Sequence, residues 1–120
     1  MWLLILERDF MENIITEEQS FTLILHAGNA KSSFMEAVNF ANKGEFCKAE
    51  DKMKEAEVEL NKAHQMQTDL LVKMANGEAC YTDLLMVHAQ DHLNNAIMMK
   101  DLARQIIYMQ KEIYDLKKDK

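Results

Sequence analysis

The side chains able to do chemistry gather in one stretch, Val87-His88-Ala89-Gln90-Asp91-His92-Leu93. Two imidazoles and a carboxylate stand at i, i+3 and i+4. On a helix all three share one face, with His88 and His92 roughly 5–6 Å apart at Cβ. No Gly or Pro interrupts the chain from Cys80 to Lys120, so a helix is the natural setting. Four chemistries fit these residues. A buried polar patch can specify an oligomer. H-x-x-D-H offers up to three metal ligands from one helix. It is not the zinc-protease pattern H-E-x-x-H, because Ala89 stands where that motif needs its glutamate base. Two histidines can serve acid–base catalysis on a small substrate, although a slender bundle offers little pocket for one. Finally, a neutral imidazole nitrogen is a competent nucleophile at neutral pH and can carry a phosphoryl group. Phosphoryl transfer asks mainly for positioning and charge stabilisation, so a surface histidine on a rigid helix suffices if a partner protein supplies the rest. The chain has no P-loop, so its phosphate would come from another protein.

Composition bounds the remainder. At 120 residues with no Pro, three Gly, ten Met and few aromatics, the chain reads as one all-α domain. A net charge of −6 with no basic stripe speaks against nucleic acid as a partner. Cys47 and Cys80 match no metal spacing and read as free thiols of a reducing cytoplasm. Met1-Trp2-Leu3-Leu4-Ile5-Leu6 is apolar but falls short of the roughly 20 residues that span a bilayer. Glu7, Arg8 and Asp9 follow with no cleavage site, against a signal peptide. Met11 opens a second plausible start, so residues 1–11 read as an N-terminal extension or alternative start, and 12–120 as a single domain. A rival reading lets the first residues lengthen the first helix or cap an oligomer end.

Three helices must position the cluster. The first is expected from about Glu17 to Asn42, capped by Thr16, with an apolar stripe of Phe21, Ile24, Leu25, Gly28, Phe34, Met35, Val38 and Ala41. Gly28 costs about 1 kcal/mol against Ala mid-helix, for which close approach of another helix would compensate. Gly44 ends this helix. The second runs from about Phe46 to Ala75 on Ala49, Met53, Ala56, Leu60, Ala63, Gln67, Leu70 and Met74, and Asn76-Gly77-Glu78 breaks it. His26 reads as a packed or edge residue, and His64, beside the second stripe, as a packed one. The third, capped by Thr82, runs from about Asp83 to Lys117. It carries two stripes where a three-helix bundle needs one. Leu85, Ala89, His92, Ala96, Met99, Ala103, Ile106 and Ile113 face the core. Leu84, His88, Asp91, Asn95, Met98, Leu102, Gln105 and Met109 have no partner within one chain, so this second stripe is expected to pack against copies of itself.

The stretch Leu84-Leu85-Met86-Val87-His88-Ala89-Gln90-Asp91-His92-Leu93 resembles the signature of the enzyme IIA component of the lactose/cellobiose (chitobiose) family of the bacterial sugar phosphotransferase system. His26-Ala27-Gly28-Asn29-Ala30-Lys31-Ser32, Gly44-Glu45-Phe46 and Ala63-His64-Gln65-Met66-Gln67-Thr68 are similar to three further segments of that family. The resemblance covers about Glu12 to Tyr114, and H-x-Q-D-H is its specific core. It implies an antiparallel three-helix bundle assembled as a trimer, a nine-helix bundle in the cytoplasm. It implies that His88 accepts a phosphoryl group from phospho-HPr and passes it to a cysteine of enzyme IIB, with His92 in a supporting role. It implies that Asp91 from three subunits holds a divalent metal, commonly magnesium, on the trimer axis. The membrane is reached only through the IIC transporter, which selects the sugar. Ala89 leans towards a cellobiose- or chitobiose-type β-disaccharide over lactose. Asn94 and Asn95 depart from the family pattern. The alternative is a non-enzymatic oligomeric bundle with a structural or metal-binding His/Asp cluster.

Overall fold

The structure is a computed structural model that describes residues 2–78 and 83–119, with the backbone alone over 8–16. Three helices follow one another, α1 Trp2–Asn42, α2 Phe46–Ala75 and α3 Leu84–Lys118. Among the described residues there is no strand. The expected all-α three-helix bundle is what forms.

Two glycines turn the chain. Gly44 and Gly77 take φ of +79° and +81°, where a Cβ is unfavourable. Each closes its helix by the same pair of bonds. After α1, Glu45 N–H donates to Phe40 C=O at 2.9 Å and Gly44 N–H to Ala41 C=O at 3.0 Å. After α2, Glu78 N–H donates to Lys73 C=O and Gly77 N–H to Met74 C=O. These are Schellman closures, which satisfy carbonyls the helix end would otherwise strand.

Interhelix contacts fix the directions. Lys52 pairs with Glu36 and His26 with Glu59, so α2 runs antiparallel to α1. Ser20 meets Met86 and Gln110 meets Asn42, so α3 runs parallel to α1. α1 packs along both neighbours, while α2 and α3 touch less. The seam is built of small residues: Ala27, Ala30, Ala37, Ala41, Ala49, Ala56, Ala63, Ala89, Ala96 and Ala103 are buried, with Leu23, Phe34, Leu60, Leu93 and Ile107 between them. Small side chains let the helix axes approach closely, and the result is a rod of 79 × 21 × 20 Å.

Several expectations need correction. α1 does not begin at a Thr16 cap; it runs back to Trp2, because nothing from Trp2 to Ala27 breaks a helix. Over this extension Trp2, Leu3, Leu4, Ile5 and Leu6 are all exposed. Phe21, Leu25 and Met35 are also exposed, and the buried face of α1 runs instead through Ser20, Leu23, Ala27, Ala30, Phe34, Ala37, Val38 and Ala41. A Cβ added at Gly28 would meet nothing within 4 Å, so no helix approaches there; Ala27 and Ala30 make the close contact. On α2 the stripe is buried from Ala49 to Ala63, but Met74 is exposed, and so is His64. Thr82 and Cys80 lie outside the described residues, and the N-cap of α3 is Asp83. No described helix is long and apolar enough to cross a membrane.

Candidate functional site

The site begins with the cap of α3. Asp83 has extended backbone (φ −119°, ψ −179°) and its Oδ1 accepts from the Met86 N–H at 2.8 Å. This satisfies one of the free N–H groups of the first turn and fixes where α3 starts. Met86, Ala89, Leu93 and Ala96 then point into the core. That choice of inner face decides the outer one. His88, Asp91 and Asn95 are exposed and His92 is half-buried.

Met86 ties the first turns of α3 to α1. Its Sδ accepts from the Ser20 hydroxyl at 3.8 Å and from the Gln90 amide at 3.7 Å. Ser20 is fully buried. Sulfur is a weak acceptor, but two donors converging on one buried thioether hold the helix end in register. The sequence places Asp83 at the start of the third helix without making it the cap, and gives Met86 and Ser20 no contact. The Asp just before Leu84-Leu85 is a legible cap signal; the sulfur contacts have none.

The two imidazoles meet. His88 Nε2 and His92 Nε2 are 3.1 Å apart, with ring centroids at 4.6 Å and planes at 85°. A hydrogen bond between two ring nitrogens needs a lone pair on one and an N–H on the other. The tautomers are therefore coupled: when His92 donates through Nε2, His88 presents its Nε2 lone pair and carries its proton on Nδ1. That is the arrangement of a nucleophile held by a neighbouring imidazole. His88, the outer of the two, is the one a partner protein can reach.

Asp91 does not join them. Among the described residues no group of three His, Cys, Asp or Glu side chains is placed to hold a metal ion, so H-x-x-D-H does not close into a three-ligand site within one chain. His26 and His64 are placed elsewhere. His26 is an edge residue whose Nδ1 donates to Glu59 Oε2 at 2.6 Å, across α1 and α2. This bond, with Lys62 adding to it, holds the Glu59 carboxyl below the usual carboxylate range against a smaller opposing effect of burial. Cys47 is an exposed free thiol.

The exposed side of α3 also carries apolar side chains. Leu84, Met98, Leu102 and Met109 are at least half exposed, and they flank His88, Asp91 and Asn95. The expected second stripe therefore has no partner within the described chain.

Residues 18–111 match the family described as "PTS system, Lactose/Cellobiose specific IIA subunit". The chain is 48% identical over 103 residues to the lichenan-specific phosphotransferase enzyme IIA component of Bacillus subtilis, a match covering 86% of this chain and 89% of that one. Its structure resembles the crystal structure of the PTS cellobiose-specific enzyme IIA from Bacillus anthracis (TM-score 0.81, 42% identity, 83% of this chain and 92% of the other). It also resembles the IIA(Chitobiose) of the IIA(Chitobiose)–HPr complex of Escherichia coli (TM-score 0.69, 30% identity, 82% and 96%).

Proposed function

Because the chain belongs to the lactose/cellobiose-specific IIA family of the PTS, we propose that it is a phosphocarrier in which His88 accepts a phosphoryl group from phospho-HPr and passes it to a cysteine of enzyme IIB. Membership makes the chain part of a phosphotransferase and sets aside the non-enzymatic bundle. The observation that carries His88 is its exposure on a rigid helix with Nε2 held 3.1 Å from His92 Nε2.

The chemistry follows from the pair. The His88 Nε2 lone pair attacks phosphorus, the bond from phosphorus to the donor breaks, and that electron pair leaves with HPr. The His92 N–H that faced the lone pair is then left beside the new phosphoryl group as a donor. This is its supporting role, since charge-assisted hydrogen bonds to such oxygens are strong. Transfer onward runs the same way, with a thiolate of IIB attacking phosphorus and the pair returning to His88. All of this takes place in the cytoplasm.

The exposed stripe of α3 supports self-association, and we assign it to a homotrimer. In that assembly three copies of Asp91 come together. Carboxylate oxygens are hard donors that suit magnesium, and among the described residues Asp91 joins no group within the chain that could hold an ion. The ion would supply charge neutralisation at the subunit seam, with no part in the transfer. The likeness to lichenan- and cellobiose-specific IIA proteins supports a β-disaccharide of the cellobiose or chitobiose type over lactose.

The test is reconstitution with phosphoenolpyruvate, enzyme I and HPr, with acid-labile phosphate mapped on the chain. His88→Ala should take up none. His92→Ala should remain a substrate but react more slowly, by about tenfold or more, the scale expected when an orienting partner is lost. Normal uptake by His88→Ala with none by His92→Ala would move the acceptor to the other histidine. Sugar class is read by coupling to enzyme IIB and IIC and comparing cellobiose, chitobiose and lactose uptake.

A further inference from the structure

The His88–His92 pair has a second chemistry that phosphoryl transfer does not use. Two neutral imidazoles at i and i+4 on one helix face are a chelate for borderline divalent transition metals such as zinc, copper and nickel. The separation of their Nε2 atoms fits. With bonds of about 2.0–2.1 Å, a tetrahedral ion sets two ligand nitrogens about 3.3 Å apart, and a square-planar ion about 2.9 Å. The observed 3.1 Å lies between these values. In the hydrogen-bonded pair one Nε2 carries a proton. With that proton on Nδ1 instead, both Nε2 lone pairs are available, and ring rotation turns them to a common point beside the N···N line. Within one chain His88 is exposed, and the solvent beside it leaves open positions for water. A net charge of −6 favours a cation nearby.

The geometry points to a two-histidine transition-metal site at His88 and His92, distinct from the carboxylate oxygens of Asp91, whose occupancy excludes phosphorylation of His88. The exclusion is stoichiometric: the Nε2 lone pair that would attack phosphorus is the one that binds the ion. A metal-loaded chain cannot accept a phosphoryl group, and a phosphorylated chain has lost a ligand. Zinc would then act as a reversible block on the carrier. The metal site stands on the distance alone; the exclusion rests on His88 being the phosphoryl acceptor.

The experiment titrates zinc chloride calorimetrically into untagged, chelator-stripped full-length protein in buffer saturated with magnesium, which occupies carboxylate sites. Wild type should bind one zinc per chain. His88→Ala and His92→Ala should each weaken binding by at least the roughly tenfold that even an outer-shell loss costs a metal site. Asp91→Asn should leave it unchanged. The pair lies on the surface, and circular dichroism confirms that each variant keeps its helices. Protein phosphorylated through HPr, then freed of donors, should bind zinc at least tenfold more weakly, and regain it once the phosphate is hydrolysed. Zinc binding that survives both histidine substitutions, or that Asp91→Asn abolishes, overturns the site. Equal zinc affinity before and after phosphorylation overturns the exclusion. A chain that takes zinc at the pair but no phosphoryl group from HPr supports the site while defeating the carrier reading and the exclusion with it.

Discussion

His26 and His88 show how context divides one residue type into two roles. Among the described residues His88 meets another imidazole, and the proposed carrier role uses its ring nitrogen. His26 is held by a carboxylate, and its contribution is to stability. The Glu59 carboxyl is held below the usual range chiefly by its hydrogen bond from His26 and then by Lys62. A carboxyl lowered on folding stabilises the fold at pH values above its unfolded value, near 4.3, and that stabilisation is lost as pH falls through the folded value. Glu59→Gln should therefore cost up to about 1 kcal/mol at pH 7, the upper range for a partly exposed pair. The difference from wild type should shrink as pH approaches 3. Urea unfolding of both proteins at the two pH values measures it, and a difference that does not change with pH would mean that Glu59 contributes by packing alone.

At the scale of elements, two glycines predict opposite outcomes. Gly44 sits at φ +79°, and an added Cβ would meet Tyr114 only at 3.5 Å, an ordinary contact. Gly44→Ala should therefore destabilise by about 1–2 kcal/mol through backbone conformation alone. Gly28 is mid-helix with nothing within 4 Å of a new Cβ. Gly28→Ala should stabilise by about 1 kcal/mol. Thermal melts of the two variants check both signs; a loss at Gly28 would show that another copy covers that face. Asp83→Ala should lower stability by about 1 kcal/mol through the lost cap, and slow phosphoryl uptake only as far as it frays the turn before His88. The same contrasts explain what was legible in the sequence. The ends at Gly44 and Gly77 were plain, because few other residues take a positive φ. The α2 face was read residue by residue from Ala49 to Ala63, because polar residues crowd every other direction. On α1 the pattern finds Phe34, Val38 and Ala41 but is drawn off by the bulky Phe21, Leu25 and Met35, which are exposed. Close packing selects Ala27, Ala30 and Ala37, whose small apolar weight hides them in any pattern of hydrophobicity. At the site, helical spacing alone brings His88 and His92 together, so their meeting was foreseeable. The grip of Ser20 on Met86 links residues 66 apart and had no local signal.

For the whole molecule, a rod 21 × 20 Å across leaves the stripe from Leu84 to Met109 uncovered. Sedimentation equilibrium should give about three times the 14.0 kDa chain mass; a single-chain mass would defeat self-packing, and a dimer would remove the three-fold site. On a three-fold seam, three copies of Asp91 are like charges in a poorly solvated place, and each unpaired buried charge costs several kcal/mol. A carboxylate there would also repel an incoming phosphoryl group, so the role proposed for Asp91 is structural. A shared divalent ion removes the repulsion, and protonation of some of the three is the metal-free alternative. The two are separable by linkage, because an ion that binds only the assembled protein raises its melting temperature in proportion to RT ln(1 + [L]/Kd). Metal-free wild type should gain stability as magnesium is added. Asp91→Leu should keep the trimer, melt at least as high as metal-free wild type because an apolar seam needs no ion, and show no response to magnesium. Its phosphorylation at His88 should fall only modestly. If magnesium raises both melting temperatures equally, Asp91 does not hold the ion, and the three carboxylates must be relieved by protonation instead.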